Sequence, residues 1–296
     1  MKKIFSLIFA VALLGTAASE ARFNTGKALG GLVGLFQAAT ISDGQMAAYV
    51  SQSIAYMDSS NTVLPESSAY VKRLRRLTDG ITDADGIPLN FKVYKTDQVN
   101  AFACPDGSVR VFSGIMDRMD DDELLGIIGH EIGHVIKRHS RNAFRNQLLT
   151  GALKDIVAST GGVAEALTES QLVTLGQALG SASYSRKQEN EADDCGYDFL
   201  VAHGKNPWGM VRAFEKLQSL EESSGATVGA MQKMFSSHPD TKKRISRMTQ
   251  RCVKDGYRRE SAPARTAVGK SAAPSDTKAG AKPIRHAPKT YKEIHF

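Results

Sequence analysis

Two histidines four residues apart, with a glutamate between them, are the residues in this chain best placed to do chemistry: His130, Glu131 and His134 form a His-Glu-x-x-His pattern. On a helix turning about 100° per residue, the two imidazoles lie about 40° apart in azimuth and about 6 Å apart along the axis, so both can grip one metal ion. Glu131 projects close to the same side. There a carboxylate reaches a water on the metal without being a ligand, which is the general-base arrangement of a zinc peptidase. A catalytic zinc also needs a third protein ligand and a fourth position for water.

The acid-rich run 185–200 offers candidates for that third ligand. Helical geometry places Glu189, Ala192, Asp193, Gly196 and Leu200 on one stripe, and Glu191, Asp194, Cys195 and Asp198 on the other. The first stripe holds the small and apolar residues and is expected to face inward. Glu189 is then the third ligand, and Asp193 is placed to accept the second ring N–H of a ligating histidine. Glu191 is expected to be a solvated acid, and the competing reading of the whole run is an acidic surface helix. His238, followed by Pro239, either stabilises an oxyanion, fills the open metal position as a plug, or only caps the last helix. Arg244 either meets a substrate carbonyl or carboxylate or is an ordinary surface arginine.

The elements that must position these groups are legible in outline. Asp120, Asp121 and Asp122 mark the start of the histidine helix, and Lys137, Arg138 and His139 suit its end. Leu124, Leu125, Ile128, Ile132, Val135 and Ile136 form its apolar back, and His139 is placed on that back as a packed or capping residue. Gly126, Gly129 and Gly133, read on the histidine side, each cost about 1 kcal/mol of helix stability relative to Ala, so another backbone or a substrate must come very near. Ala192 and Gly196 permit that approach from the acidic helix.

Upstream, Ser42 and Asp43 cap a helix with a stripe at Met46, Val50, Ile54 and Met57. Pro65, Glu66 and Ser67 open a second, with Lys72, Arg73, Arg75 and Arg76 solvated. After a turn at 83–86 the period changes to strands: 91–94, then a hairpin of 99–103 and 109–112 that leads into the histidine helix. Residues 140–182 are Ala-, Gly- and Ser-rich helical material, either filler or a cover. A glycine stop at Gly204 and a restart at Asn206-Pro207 bring a helix running to about Glu222.

Lys2 and Lys3, the apolar run 4–14 and the small residues 15–21 predict a secretory signal peptide, giving 1–21 signal peptide, 22–253 catalytic domain and 254–296 tail. The tail carries ten basic against four acidic residues, leaving the body about neutral. That argues against a nucleic-acid groove. The tail, rich in Ala, Pro and Lys, is either a solvated segment without a partner or a peripheral contact to anionic lipid heads or wall polymers. No transmembrane helix is expected in the mature chain, and Cys104, Cys195 and Cys252 permit at most one disulfide.

Five marks occur in order: 99–103, 111–114, His130 to His134, the run from Ser185 through Glu189 to Asp193, and Ser237 to Pro239 with Arg244. Together they resemble family 48 of the metallopeptidases, which includes the HtpX heat-shock and CAAX prenyl proteases, and within it the periplasmic LoiP/BepA-type branch. The resemblance implies an α+β, mostly helical gluzincin-type zinc peptidase domain with a small antiparallel β-sheet beside the His-Glu-x-x-His helix. It implies one zinc ion per chain on His130, His134 and Glu189, Glu131 as base, and Asn100 on an edge strand gripping substrate backbone. It also implies periplasmic or secreted action on unfolded or misassembled envelope proteins. Neither a lipoprotein cysteine nor a helical repeat is present, and the basic tail is extra. A chaperone-like module with a shielded or mainly structural zinc is the alternative.

Overall fold

The computed structural model describes residues 42–149, 151–160, 167–223 and 237–259. The expected signal peptide, the glycine-rich stretch 22–40 and the tail beyond Arg259 lie outside the described residues. In chain order the helices are α1 (Asp43–Ser60), α2 (Ala69–Leu77), α3 (Ser113–Met116), α4 (Asp121–Ile136), α5 (His139–Leu149), α6 (Gly151–Thr160), α7 (Glu169–Gly180), α8 (Arg186–Ala202), α9 (Trp208–Ser223) and α10 (Thr241–Lys254). The strands are β1 (Asp83–Ala84), β2 (Ile87–Pro88), β3 (Asn90–Tyr94), β4 (Ala101–Ala103) and β5 (Ser108–Phe112). The fold is α+β and mostly helical, as expected.

Helix α4 is the axis of the domain, buried continuously from Glu123 to Val135. Its start is set by a capping box: the Asp120 side chain accepts the Glu123 N–H at 2.9 Å, and the Glu123 carboxylate accepts the Asp120 N–H at 2.8 Å. Arg73 is not solvated as expected. It donates to Asp121 and to the carbonyls of Met116 and Met119, clamping α2 onto the entry of α4. The exit is abrupt, because Arg138 adopts a left-handed backbone with φ 58° and turns the chain. His139 therefore opens α5 instead of lying on the apolar back of α4, a correction to the sequence reading.

Strands β4 and β5 form the expected hairpin, and β4 lies against α4. The sheet order is β3-β5-β4 with β3 parallel to β5, so the small sheet is mixed and not wholly antiparallel. Residues 62–64 cover the outer side of β3 through Leu64 N–H to Val93 O and Lys95 N–H to Thr62 O. Among the described residues no strand pairs with the outer side of β4. Asn100 stands immediately before β4, and its carbonyl accepts the Phe112 N–H at 3.1 Å.

The main core joins α4, α8, α9 and the sheet. Helices α5, α6 and α7 build a second core with α1, in which Tyr49, Val50 and Ile54 meet Phe144, Leu148, Val157 and Leu175. Buried Arg110, paired with partly buried Asp58, ties α1 to the sheet. The packed body extends past the expected boundary at 253: Trp208 donates to Tyr257 O, and Asn206 donates to Arg258 O. All three cysteines are buried and free, and Cys195, assigned to the outer stripe, faces the core.

Helix α8 crosses α4 at very short range, and the glycines are the reason. A Cβ on Gly133 would lie 2.7 Å from the Cys195 Cβ and 3.2 Å from the Ala192 Cα, while one on Gly196 would lie 3.1 Å from the His130 N. A Cβ on Gly126 would instead meet the Met210 sulfur at 2.9 Å, the end of a flexible side chain. Gly133→Ala should therefore push the two helices apart and cost about 1–3 kcal/mol, whereas Gly126→Ala should be close to neutral. Urea unfolding of the two variants checks the contrast.

Candidate metal centre

The close crossing brings side chains from both helices, and one from the segment before α10, to a common point. His130 Nε2 and His134 Nε2 are 3.1 Å apart. Glu189 Oε1 is 3.3 Å from His134 Nε2, and Glu189 Oε2 is 3.7 Å from His130 Nε2. His238 Nδ1 completes the group at 3.3 Å from His130 Nε2 and 3.1 Å from Glu189 Oε1. Ligand atoms about 2 Å from a tetrahedral ion stand about 3.3 Å from one another. The four donor atoms therefore have the spacing of a metal cage, and His130, His134 and Glu189 are all but fully buried.

Each metal-facing group is held from behind. Asp193 Oδ1 is 3.0 Å from His130 Nδ1, and Arg244 donates to both Asp193 oxygens, at 2.9 and 2.5 Å. Arg244 Nη1 also meets Glu189 Oε2 at 2.7 Å, and its guanidinium lies 4.3 Å from the Phe214 ring centroid. Arg244 is thus buried and engaged by two carboxylates, where sequence reading gave a substrate contact or a surface residue. Although it borders the site, its donors serve the acids. Burial opposes ionisation of Asp193, yet Arg244 and His130 outweigh it and lower its pKa to about 2.

Four contacts, made by His139 and Tyr184, escaped the sequence reading. His134 Nδ1 lies 3.1 Å from His139 Nδ1, and His139 Nε2 lies 3.0 Å from Glu191 Oε2, so the acid taken as solvated holds a buried histidine. Tyr184 stacks on His134 with centroids 3.7 Å apart and an 18° tilt, and its backbone N–H donates to Ser237 O, fixing the segment that carries His238. A histidine five residues after His134 was a visible signal, but its partner was hidden by the left-handed turn at Arg138. Tyr184 carried no signal.

Glu131 stands beside the cage, with Oε1 3.6 Å from His238 Nε2. Burial pushes its carboxyl above the usual range, with His238 and His130 pulling the other way. Glu189 is the opposite case. Burial disfavours its charge, but His238, His134 and His130 hold it well below the ordinary carboxylate range. Burial likewise lowers His134 strongly, favouring the neutral imidazole a metal requires. A cavity of about 20 Å³ adjoins Glu131 and His238, walled by Ile127, Phe214 and Leu217. It has room for about one water. Asn100 is partly buried at the head of β4.

Two helices presenting His, His and Glu to one point, with an acid alongside, define the class as metallopeptidase. The sequence model of peptidase family M48 matches residues 69–252. The chain is 40% identical over 224 residues to Metalloprotease LoiP of Escherichia coli strain K12, covering 75% of this chain and 86% of that one. It is 38% identical over 251 residues to Metalloprotease YcaL of the same organism, covering 84% and 96%. With the beta-barrel assembly-enhancing protease of Escherichia coli O157:H7 it shares 31% identity over 137 residues, 44% of this chain and 28% of that one. The chain belongs to peptidase family M48 and is a metalloprotease. Replacing Glu189 with Ala should lower metal affinity by more than the roughly 10–100-fold typical of an outer-shell change. Elemental analysis after dialysis provides the check.

Proposed function

We propose that this protein is an exported zinc endopeptidase acting on misfolded or misassembled cell-envelope proteins. The observation that carries the reading is the cage of His130, His134 and Glu189 beside the buried Glu131. Two imidazoles and one carboxylate are one of the ligand sets of catalytic zinc. Zinc, when bound, polarises the scissile carbonyl and lowers the pKa of the attacking water toward about 7.

The remaining work falls to the chain. Glu131 takes the water's proton on its carboxylate and delivers it to the amide nitrogen as the C–N bond breaks. Burial raises its pKa above the usual carboxylate range, which strengthens it as the acceptor of the water's proton. Asp193, itself held by Arg244, fixes the ring orientation of His130. The outer side of β4, with which no strand among the described residues pairs, has Asn100 at its head and suits the backbone of an extended peptide. Extended backbone is what an unfolded protein offers and a folded one hides. An envelope address is supported by the leader-like residues 1–21 and by the name of one relative, the beta-barrel assembly-enhancing protease. No helix among the described residues is long and apolar enough to cross a membrane. The basic tail is read as a solvated segment without a partner, with peripheral contact to anionic surfaces as its alternative.

His238 decides between two resting states. With Nδ1 in the cage it takes the corner a water needs, which favours a plug over a helix cap. It also supports the second reading, a chaperone-like module whose zinc is shielded. Glu131→Gln should keep zinc and lower casein cleavage at least about 10²–10⁴-fold. Retained cleavage removes Glu131 from the mechanism, and undiminished protection of clients from aggregation favours the chaperone reading. His238→Ala should raise cleavage at saturating zinc by freeing the fourth corner. A fall in kcat would instead return His238 to the transition state.

A further inference from the structure

His130 and His134 each turn Nε2 toward the common point, so each can serve a metal there only when its Nδ1 carries the proton. For His130 the acceptor of that proton is Asp193. For His134 the neighbour of Nδ1 is another imidazole nitrogen, His139 Nδ1 at 3.1 Å. Two ring nitrogens share one proton between them, so His139 Nδ1 must be bare, and its own proton must sit on Nε2. There Glu191 Oε2 accepts it at 3.0 Å. With a metal on His134 Nε2, this is the arrangement of protons that satisfies the chain from His134 through His139 to Glu191.

We propose that Glu191 and His139 form a tautomer lock on His134: the carboxylate draws the His139 proton to Nε2, His139 Nδ1 accepts the His134 Nδ1 proton, and the His134 Nε2 lone pair is left facing the metal. His139 is nearly buried, and Tyr184 stacked on His134 keeps the ring from rotating away. Glu191 is more open and also lies 3.7 Å from Lys187 on its own helix. Both are positioning residues, since neither touches the common point. The lock rests on the metal-centre reading given above, and it extends the role of α8, which carries Glu189, Asp193 and Glu191 alike.

The test uses the full mature chain and zinc alone. Long-range 1H–15N spectra of the zinc-loaded protein should show His139 protonated on Nε2 and His134 on Nδ1. A His139 protonated on Nδ1 overturns the lock. In competition with a chromophoric chelator, Glu191→Ala should weaken zinc binding by about tenfold, while Glu191→Gln, whose amide oxygen still accepts, should bind like the parent. The metal-stripped variants should melt with the parent. Wild-type affinity in Glu191→Ala, equal losses in the Ala and Gln variants, or a loss that tracks melting of the metal-stripped protein would each overturn the lock. Glu189→Ala serves as the reference: unchanged affinity in Glu191→Ala beside lost affinity in Glu189→Ala removes the lock alone, whereas unchanged affinity in both removes the metal centre with it.

Discussion

The near contact of two helix backbones is the constraint on which the rest of this protein depends. Helix α4 supplies His130 and His134, and α8 supplies Glu189, so the donor atoms converge only if the helices approach closer than ordinary side chains allow. Gly133 opposite Ala192 and Cys195, and Gly196 opposite the His130 backbone, permit that approach. The glycines weaken each helix taken alone. Burial of the apolar backs of both in the main core offsets the loss.

Convergence creates an electrostatic problem that the same elements solve. Glu131, Glu189 and Asp193 are all buried, and unpaired carboxylates in such surroundings are very costly. Arg244 enters from α10 to face Asp193 and Glu189, and His238 enters from the preceding segment to face Glu189 and Glu131. The outcome differs by residue. Asp193 and Glu189 are held ionised against their burial, while for Glu131 burial prevails and the carboxyl is kept readier to carry a proton. Acids of one chemical kind thus become two kinds of tool.

Much of this was legible in the chain. The His-Glu-x-x-His spacing, the caps at Ser42 and Asp120, the hairpin before α4 and the inward stripe with Glu189 and Asp193 follow from local geometry, and local geometry is what a sequence records. What was not legible depends on which neighbour covers a face. Arg244 resembled any surface arginine because its two carboxylate partners lie some fifty residues away. Cys195 and Glu191 share the outer stripe of an ideal helix, yet α4 covers one and the turn into α5 supplies a partner to the other. The place of His139 at the start of α5 was missed because a non-glycine residue, Arg138, takes a left-handed conformation that no residue type announces.

Gathering three acids onto α8 also limits how this stretch can vary. Each residue of a helix is turned about 100° from the last, so one codon gained or lost between Glu189 and Asp193 would swing every acid beyond it out of register together. Exposed positions such as Lys187 tolerate exchange of side chain, but the count of residues from 189 to 193 does not tolerate change. Among natural variants of this protein, drift in spelling is therefore compatible with a working centre on α8, and drift in length is not.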